Sequence, residues 1–254
     1  FILNLMASLC LLMVWIISVS SLGVFAARLV AKHEERMQSI EKSEMVSKIY
    51  DFKDFNSISV MGNYKLKIEK GDNYNFEVRG HEADFDSVAI SQDGNKLEID
   101  EDHRGICIFC YDSRMTREIT IIMPELGKFE SDGETEAVIS GFDQDEITFD
   151  LNGTDTTTAD IQVKSARIDM DESSELTISG QAENFLGKIS GINKMDATEL
   201  NVKSATLDVD GDSDVKIWAT DKLDVKVDGT SQVSYKSDPT VTKKVSKSAR
   251  LEKK

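Results

Sequence analysis

An all-β protein is predicted, built chiefly as a parallel β-helix-like solenoid of about 19 residues per coil, with an antiparallel β lead-in, an N-terminal transmembrane helix and a helical stalk. The first observation is a phrase that recurs six times between Lys128 and Lys236 at a spacing of 18 to 20 residues: apolar-x-apolar-x-Gly, polar residues, then apolar-x-apolar. The copies FESDGETEAVI, FDLNGTDTTTA, IDMDESSELTI, GKISGINKMDA, LDVDGDSDVKI and VKVDGTSQVSY align Gly133, Gly153, Glu172, Gly191, Gly211 and Gly229. The second is period-two alternation from Tyr50 onward, the signature of strands with one buried face. The third is proline placement: after Pro124 none recurs until Pro239, as expected where interior residues must donate to ladders on both sides.

Residues 1–27 contain no charged side chain and are rich in Leu, Val, Ile, Met and Phe, enough to cross a ~30 Å hydrocarbon slab as a helix. A secretory signal is the rival reading, with small residues near Val24, Ala26 and Ala27, but the apolar run exceeds the usual core of about 7–15 residues. The first residue is Phe rather than Met, so sequence upstream is expected. Residues 28–48 are rich in Glu, Lys, Arg and Met and lack Gly and Pro, which reads as a solvated helical stalk. Val30, His33, Met37, Ile40, Glu44 and Ser47 fall at heptad spacing, yet only half are apolar, so a coiled coil is not specified.

Residues 49–127 read as the β lead-in. Apolar pairs at Ile58/Val60, Leu66/Ile68, Phe76/Val78, Val88/Ile90 and Leu97/Ile99 are separated by turn chemistry, with Asp93-Gly94 a hairpin signal, and a strand from Glu118 ends at Pro124. Residues 128–254 read as the solenoid repeats and a C-terminal cap. Two, four and six residues before each corner stand inward-facing apolar side chains such as Ile147/Phe149/Leu151 and Leu223/Val225/Val227; four and six after it stand pairs such as Ala137/Ile139 and Val215/Ile217. A single coil cannot stand alone. Burying about five apolar side chains gives at most roughly 1.5–3 kcal/mol each, whereas ordering about 19 backbones costs roughly 1–2 kcal/mol each. Stacking covers both faces of each interior coil and leaves the end coils to be capped; the lead-in is expected to cap one end and the segment after Pro239, through Val241, Val245 and Leu251, the other.

The net charge is −16, but the last fifteen residues hold Lys243, Lys244, Lys247, Arg250, Lys253 and Lys254 against Glu252 alone. The acidic remainder repels phosphate backbones, which excludes nucleic acid as the natural partner. As terminal chain, the basic cluster itself reads as a solvated or frayed end.

Few residues suggest chemistry. Cys107 and Cys110 have C-x-x-C spacing, but no second pair exists, Cys10 lies in the apolar segment, and no histidine lies in a ligand arrangement with them. A local disulfide or buried thiols is read ahead of a redox or zinc site. His33, His81 and His103 are dispersed and no G-x-S-x-G nucleophile motif occurs, so no catalytic residue and no cofactor is assigned. The residues before the corner column, Asp132, Asn152, Asp171, Ser190, Asp210 and Asp228, would form an outward ladder with rungs ~4.8 Å apart. Stacked carboxylates repel, and Ca²⁺ would relieve this, so Asp132, Asn152, Asp171, Asp210 and Asp228 are the candidate calcium ligands. The same residues are also ordinary corner chemistry, and the G-G-x-G-x-D calcium repeat is absent. Asn152-Gly153-Thr154 matches the glycosylation acceptor pattern as well as the repeat's own corner.

The phrases DFKDFNSISVMGNYKLKIEKGDNYNFEVRG, ITIIMPELGKFESDGETEAVISGF and LDVKVDGTSQVSYKSDP resemble the head GIN domain family, also labelled autotransporter adhesins, over about residues 52–254. The resemblance implies a bacterial envelope protein with a right-handed parallel β-helix-like solenoid, and no established catalytic residues. This chain departs from the usual corner glycine at Glu172 and carries an apolar N-terminal segment. LLMVWIISVSSLGVFAARLVAKHEE is similar to the final membrane helix of relatives in which the domain follows a phage-shock-protein-C-like membrane region.

The expected function is a non-enzymatic, membrane-anchored binding, adhesion or scaffold module, held in the bacterial membrane by residues 1–27 with its solenoid in the periplasm or at the cell surface. A protein or glycan partner, a homo-oligomer or a membrane complex would use its repeated acidic face. The alternative is a polysaccharide-active β-helix enzyme, lyase or hydrolase. That needs long loops to build a cleft, whereas coil length varies by only two residues and Arg167 is the one arginine in the six copies.

Overall fold

The computed structural model describes residues 44–82, 85, 88–101 and 117–254, together with residues 24, 27, 28, 30–32 and 35, which are helical. Most of the predicted membrane helix and much of the stalk lie outside the described residues; among the described residues, no helix is long and apolar enough to cross a membrane. The predicted stalk extends too far at its C-terminal end. Met45–Tyr50 is strand β1, because Val46 and Tyr50 pack on the core and the strand zips antiparallel onto β4 (Asn75–His81). Tertiary packing overrides helix propensity there.

The stack begins earlier than the six copies indicate. β2 (Ser57–Gly62) and β3 (Tyr64–Lys70) flank a corner at Gly62, with φ 129°, and they pair in parallel with β8 (Lys128–Gly133) and with the start of β9 (Glu136–Leu151). ISVMGNYKLKI is thus another coil of the same design. On its outer side lie β6 (Lys96–Glu101) and β7 (Arg117–Met123), again parallel to β2 and β3. The antiparallel lead-in is therefore corrected: only β1 against β4, β4 against β7, and the hairpin of β5 (Val88–Asp93) with β6 run antiparallel. Alternation and turns specify that strands form, but not which distant strand each will meet. One apolar core runs unbroken through both regions.

From β9 onward each long strand serves two coils. The first half of β9 stacks on β3, the chain bends, and its second half returns to stack on β8. β10 (Thr156–Met170), β11 (Glu175–Ile189), β12 (Lys194–Val209) and β13 (Asp214–Val227) repeat the course in parallel. Each coil so has a sharp glycine corner at one side and a broad, bulged bend at the other, the bulges falling at Asp160/Ile161, Thr177/Ser179 and Ala197/Asn201. Leu97, Ile58, Phe129, Phe149, Ile168, Gly187, Leu207 and Val225 form one inward column in successive register.

The basic tail is ordered, contrary to the frayed-end reading. β14 (Gln232–Lys236), β15 (Thr240–Val245) and β16 (Arg250–Lys253) complete the stack on β13. Lys243 occupies the inward register next to Val225, and Lys253 the one next to Tyr235. The apolar columns thus end on lysines that stay exposed to water. Lys253 is ion-paired with Asp238.

Inside the sharp corner runs a buried polar column two residues after each column position: Thr135, Asp155, Ser174, Asn193, Ser213 and Ser231. Each side chain serves the coil before it. Thr135 N donates to Asp155 Oδ1 at 3.0 Å, Ser174 N to Asn193 Oδ1 at 2.7 Å, and Asn193 N to Ser213 Oγ at 3.1 Å. Corner amides that no strand can pair are thereby satisfied. Asp155 is the exception in charge. Ser131 also donates to Oδ1 at 2.8 Å, but Oδ2 has no partner in the described structure, and burial raises its carboxyl pKa against the lowering effect of those hydrogen bonds. Its contribution is therefore most favourable below the unfolded carboxylate pKa and is lost as pH rises through the raised folded value. Asn193 solves the same position without charge, its amide donating to the carbonyl of Ser190. Asp155→Asn is accordingly expected to stabilise the protein by about 1–2 kcal/mol at pH 7, a gain that shrinks as pH falls toward 4. Urea titrations at the two pH values check this; a destabilised variant at pH 7 would show that the ionised carboxylate is preferred.

Candidate functional site

The broad bend carries the clearest outward constellation. Asp143, Gln162, Gln181, Asn201 and Trp218 stand in successive register on adjacent coils, followed by Lys236. Their side chains alternate with buried neighbours such as Val163 and Ala182, so strand periodicity turns the row outward. A second row, Asp145, Lys164, Glu183 and Lys203, runs beside it. Lys164 reaches Asp145 at 2.6 Å and Lys203 reaches Glu183 at 2.9 Å. Between the rows lies a shallow groove of about 490 Å³ floored by Val163 and Ala182.

Charges in the groove are nearly balanced. The hydrogen bond and charge of Lys203 hold Glu183 below the usual carboxylate range, with Lys164 adding to the effect; Asp145 and Glu183 in turn hold their lysines protonated above the ordinary lysine value. At one end Lys70 Nζ donates to the Asp143 carbonyl at 2.6 Å. At the other, Lys236 Nζ lies 4.3 Å from the Trp218 ring centroid and 3.6 Å from Glu199. Gln144 is not available to a ligand: its amide clamps both backbone groups of buried Leu126, at 2.8 and 3.1 Å, where the chain crosses from β7 to β8.

The predicted calcium ladder is stacked as expected at the sharp corner, since Asn152, Asp171, Ser190, Asp210 and Asp228 each donate their N–H to the coil before. Their side chains are used locally. Asn152 bonds Asp150 at 2.9 Å, Ser190 bonds Asp171, Asp210 accepts from Gly211 N at 2.8 Å, and Asp228 pairs with Lys226 at 3.1 Å. Asp132 is exposed beside them. Among the described residues, no three His, Cys, Asp or Glu side chains converge as a metal site. Cys107, Cys110 and His103 lie outside the described residues.

Sequence reasoning missed the groove, although its signal was present: Asp143, Gln162, Gln181 and Asn201 recur at the coil period. The corner glycines drew the reading to the other side of the coil. A uniform coil length also suggested that nothing could build walls, whereas side chains flanking a bulged bend suffice.

Comparison with known families finds the profile described as "Putative auto-transporter adhesin, head GIN domain" over residues 54–239. The chain belongs to this family. No curated protein matches it. Among solved structures, this GIN-domain protein is similar to a "putative adhesin" from Bacteroides fragilis, with a TM-score of 0.75 and 17% identity, over 83% of this chain and 97% of that one. It is also similar to a "Putative lipid binding protein" from Parabacteroides distasonis, with a TM-score of 0.65 and 19% identity over 84% and 98% of the two chains. A "putative adhesin" from the same organism gives a TM-score of 0.61 at 19% identity, over the same shares. At these identities the likeness establishes the fold of the GIN-domain solenoid.

Proposed function

We propose that this GIN-domain protein is a non-enzymatic, membrane-anchored bacterial envelope protein whose solenoid is an extracytoplasmic binding module. The observation that carries the reading is the outward row from Asp143 to Trp218, held in register on a sheet whose backbone is already paired on both sides. A rigid, repeated array of hydrogen-bonding side chains recognises extended partners through many weak contacts. The family description and the adhesin names of the structural relatives support adhesion. In this reading residues 1–27 are the membrane anchor and the helical segment after them is the stalk. The module acts alone, as a homo-oligomer or within a membrane complex. A polysaccharide lyase or hydrolase is disfavoured, because such enzymes need carboxyl groups free to flank the bond they cleave, and Asp145 and Glu183 in the groove are committed to Lys164 and Lys203.

Two measurements test the proposal. In spheroplasts, an impermeant maleimide is expected to label Cys107 and Cys110 after reduction; labelling only after lysis would place the solenoid in the cytoplasm and sink the reading. A photo-crosslinking residue at position 181 is expected to capture a partner in native membranes, and one at exposed Asp212, on the corner side, is not.

A further inference from the structure

We infer that the broad-bend groove binds an uncharged glycan chain lying along the stacking axis, with the amides of Gln162, Gln181 and Asn201 reading hydroxyl groups and Trp218 serving as a stacking platform. The inference rests on the binding-module reading and names its ligand class. Four physical arguments lead to it.

The first is the kind of hydrogen bond on offer. Strand-forming peptides bind sheets by adding to an open edge through main-chain bonds. Here the backbone beneath the groove is paired to the coil on either side, so only side chains face a ligand. Three carboxamides, each with two donors and an acceptor, match a polymer whose every unit presents neighbouring hydroxyls as both donors and acceptors.

The second is spacing. The row advances one coil at a time, ~4.8 Å per rung, close to the length of one pyranose unit in an extended chain. A linear glycan can therefore set one sugar unit, with its hydroxyls, against each amide in turn. The third is the aromatic ring. Trp218 follows Asn201 in register and is half-buried on the outer surface, with Lys236 over the ring on the far coil. An outward tryptophan fixed in this way offers an apolar plate for the C–H face of a sugar, at low entropic cost because the ring is already held.

The fourth is charge. Lys164 and Lys203 are engaged by Asp145 and Glu183, and the protein carries −16 overall. An anionic polymer would meet lysines already paired with carboxylates along the groove and a repelling field around it, which favours uncharged chains.

The test uses the full chain in detergent micelles. Only two tryptophans exist, so Trp15→Phe leaves Trp218 as the sole indole reporter. Hexamers of β-1,4-glucose, α-1,4-glucose and β-1,4-N-acetylglucosamine are titrated against a galacturonate hexamer and an extended decapeptide, with calorimetry on the unmodified protein in parallel. At least one uncharged hexamer is expected to change Trp218 emission and to bind at least tenfold more tightly than its disaccharide. Gln181→Ala and Asn201→Ala are expected to weaken it at least tenfold with the thermal transition unmoved, and Trp218→Ala to abolish it; Trp218→Phe, which keeps an aromatic plate, restores part. Absence of binding by every uncharged hexamer at millimolar concentration overturns the inference. Peptide or galacturonate binding that Gln181→Ala removes overturns the ligand class while keeping the groove as a binding site. Glycan binding indifferent to all three groove variants overturns both.

Discussion

Gly211→Val is expected to lower stability by on the order of 4 kcal/mol, combining backbone strain of about 1–3 kcal/mol with overpacking of about 1–3 kcal/mol. Gly211 has φ 91°, and a Cβ there would lie 2.3 Å from the Gly191 carbonyl oxygen and 2.9 Å from its nitrogen. The obstacle is main chain, so no rotamer change relieves it. Gly191 sits equally close on Glu172, with a Cβ 2.4 Å from that carbonyl, so the corner is a column of backbone on backbone. Because coils contact only their neighbours, the damage falls at one interface in the stack. Urea unfolding followed by circular dichroism is expected to split into two transitions, one for the coils on each side. Glu172→Gly is the control. Glu172 holds φ 60°, a conformation that costs a side-chain-bearing residue roughly 1–2 kcal/mol, so this change is expected to raise the urea midpoint slightly. A Gly211→Val protein as stable as the parent would show that the corner column can slide open.

The second large effect is on assembly. Converting Lys243 and Lys253 together to valine completes two inward apolar columns at the end formed by β15 and β16, whose outer edges have no strand partner among the described residues. Unpaired strand edges with apolar side chains template further pairing, and inward charges are one of the ways proteins prevent it. The double variant is expected to self-associate tail to tail as an isologous dimer, seen in sedimentation as a concentration-dependent mass above that of the parent measured alongside. A variant that stays unassociated at ~100 μM, well above a micromolar Kd, would mean that the edge is protected by something other than these lysines.

Much of the coil architecture is legible in the chain. The glycine phrase locates the sharp corners because backbone contact there admits almost nothing else, and period-two alternation assigns the inward triplets; Phe149, Ile168 and Val225 are all buried as their phase requires. The coil at Gly62 escaped because its neighbour in space, β8, follows it by some 70 residues, and a repeat interrupted by β4 to β7 no longer appears periodic. The same interruption made β2 and β3 look like members of local hairpins. The terminal strands were hidden by composition: a lysine at an inward position reads as disorder until its register next to Val225 is known. The groove was legible only in retrospect. Amides at the coil period are neutral surface residues by composition, and only the bend brings them and Trp218 onto one wall.

The crossing near Leu126 carries a consequence for how the molecule is made. In the C-terminal coils each new layer docks on one formed about a coil earlier, as Ser174 and Asn193 do across 19 residues. The coil at Gly62 joins β8 and β9 only across 73 residues, as Thr135 reaches back to the Gly62 carbonyl. Each doubling of a closing loop costs roughly 0.6 kcal/mol of chain entropy, so the longer closure is slower as well as costlier. As the polypeptide emerges from its N-terminus, the coil at Gly62 meets β6 and β7 first, and the later coils zip together layer by layer. The junction of β2 and β3 with β8 and β9 is thereby the last to lock, when one assembled layer docks on another.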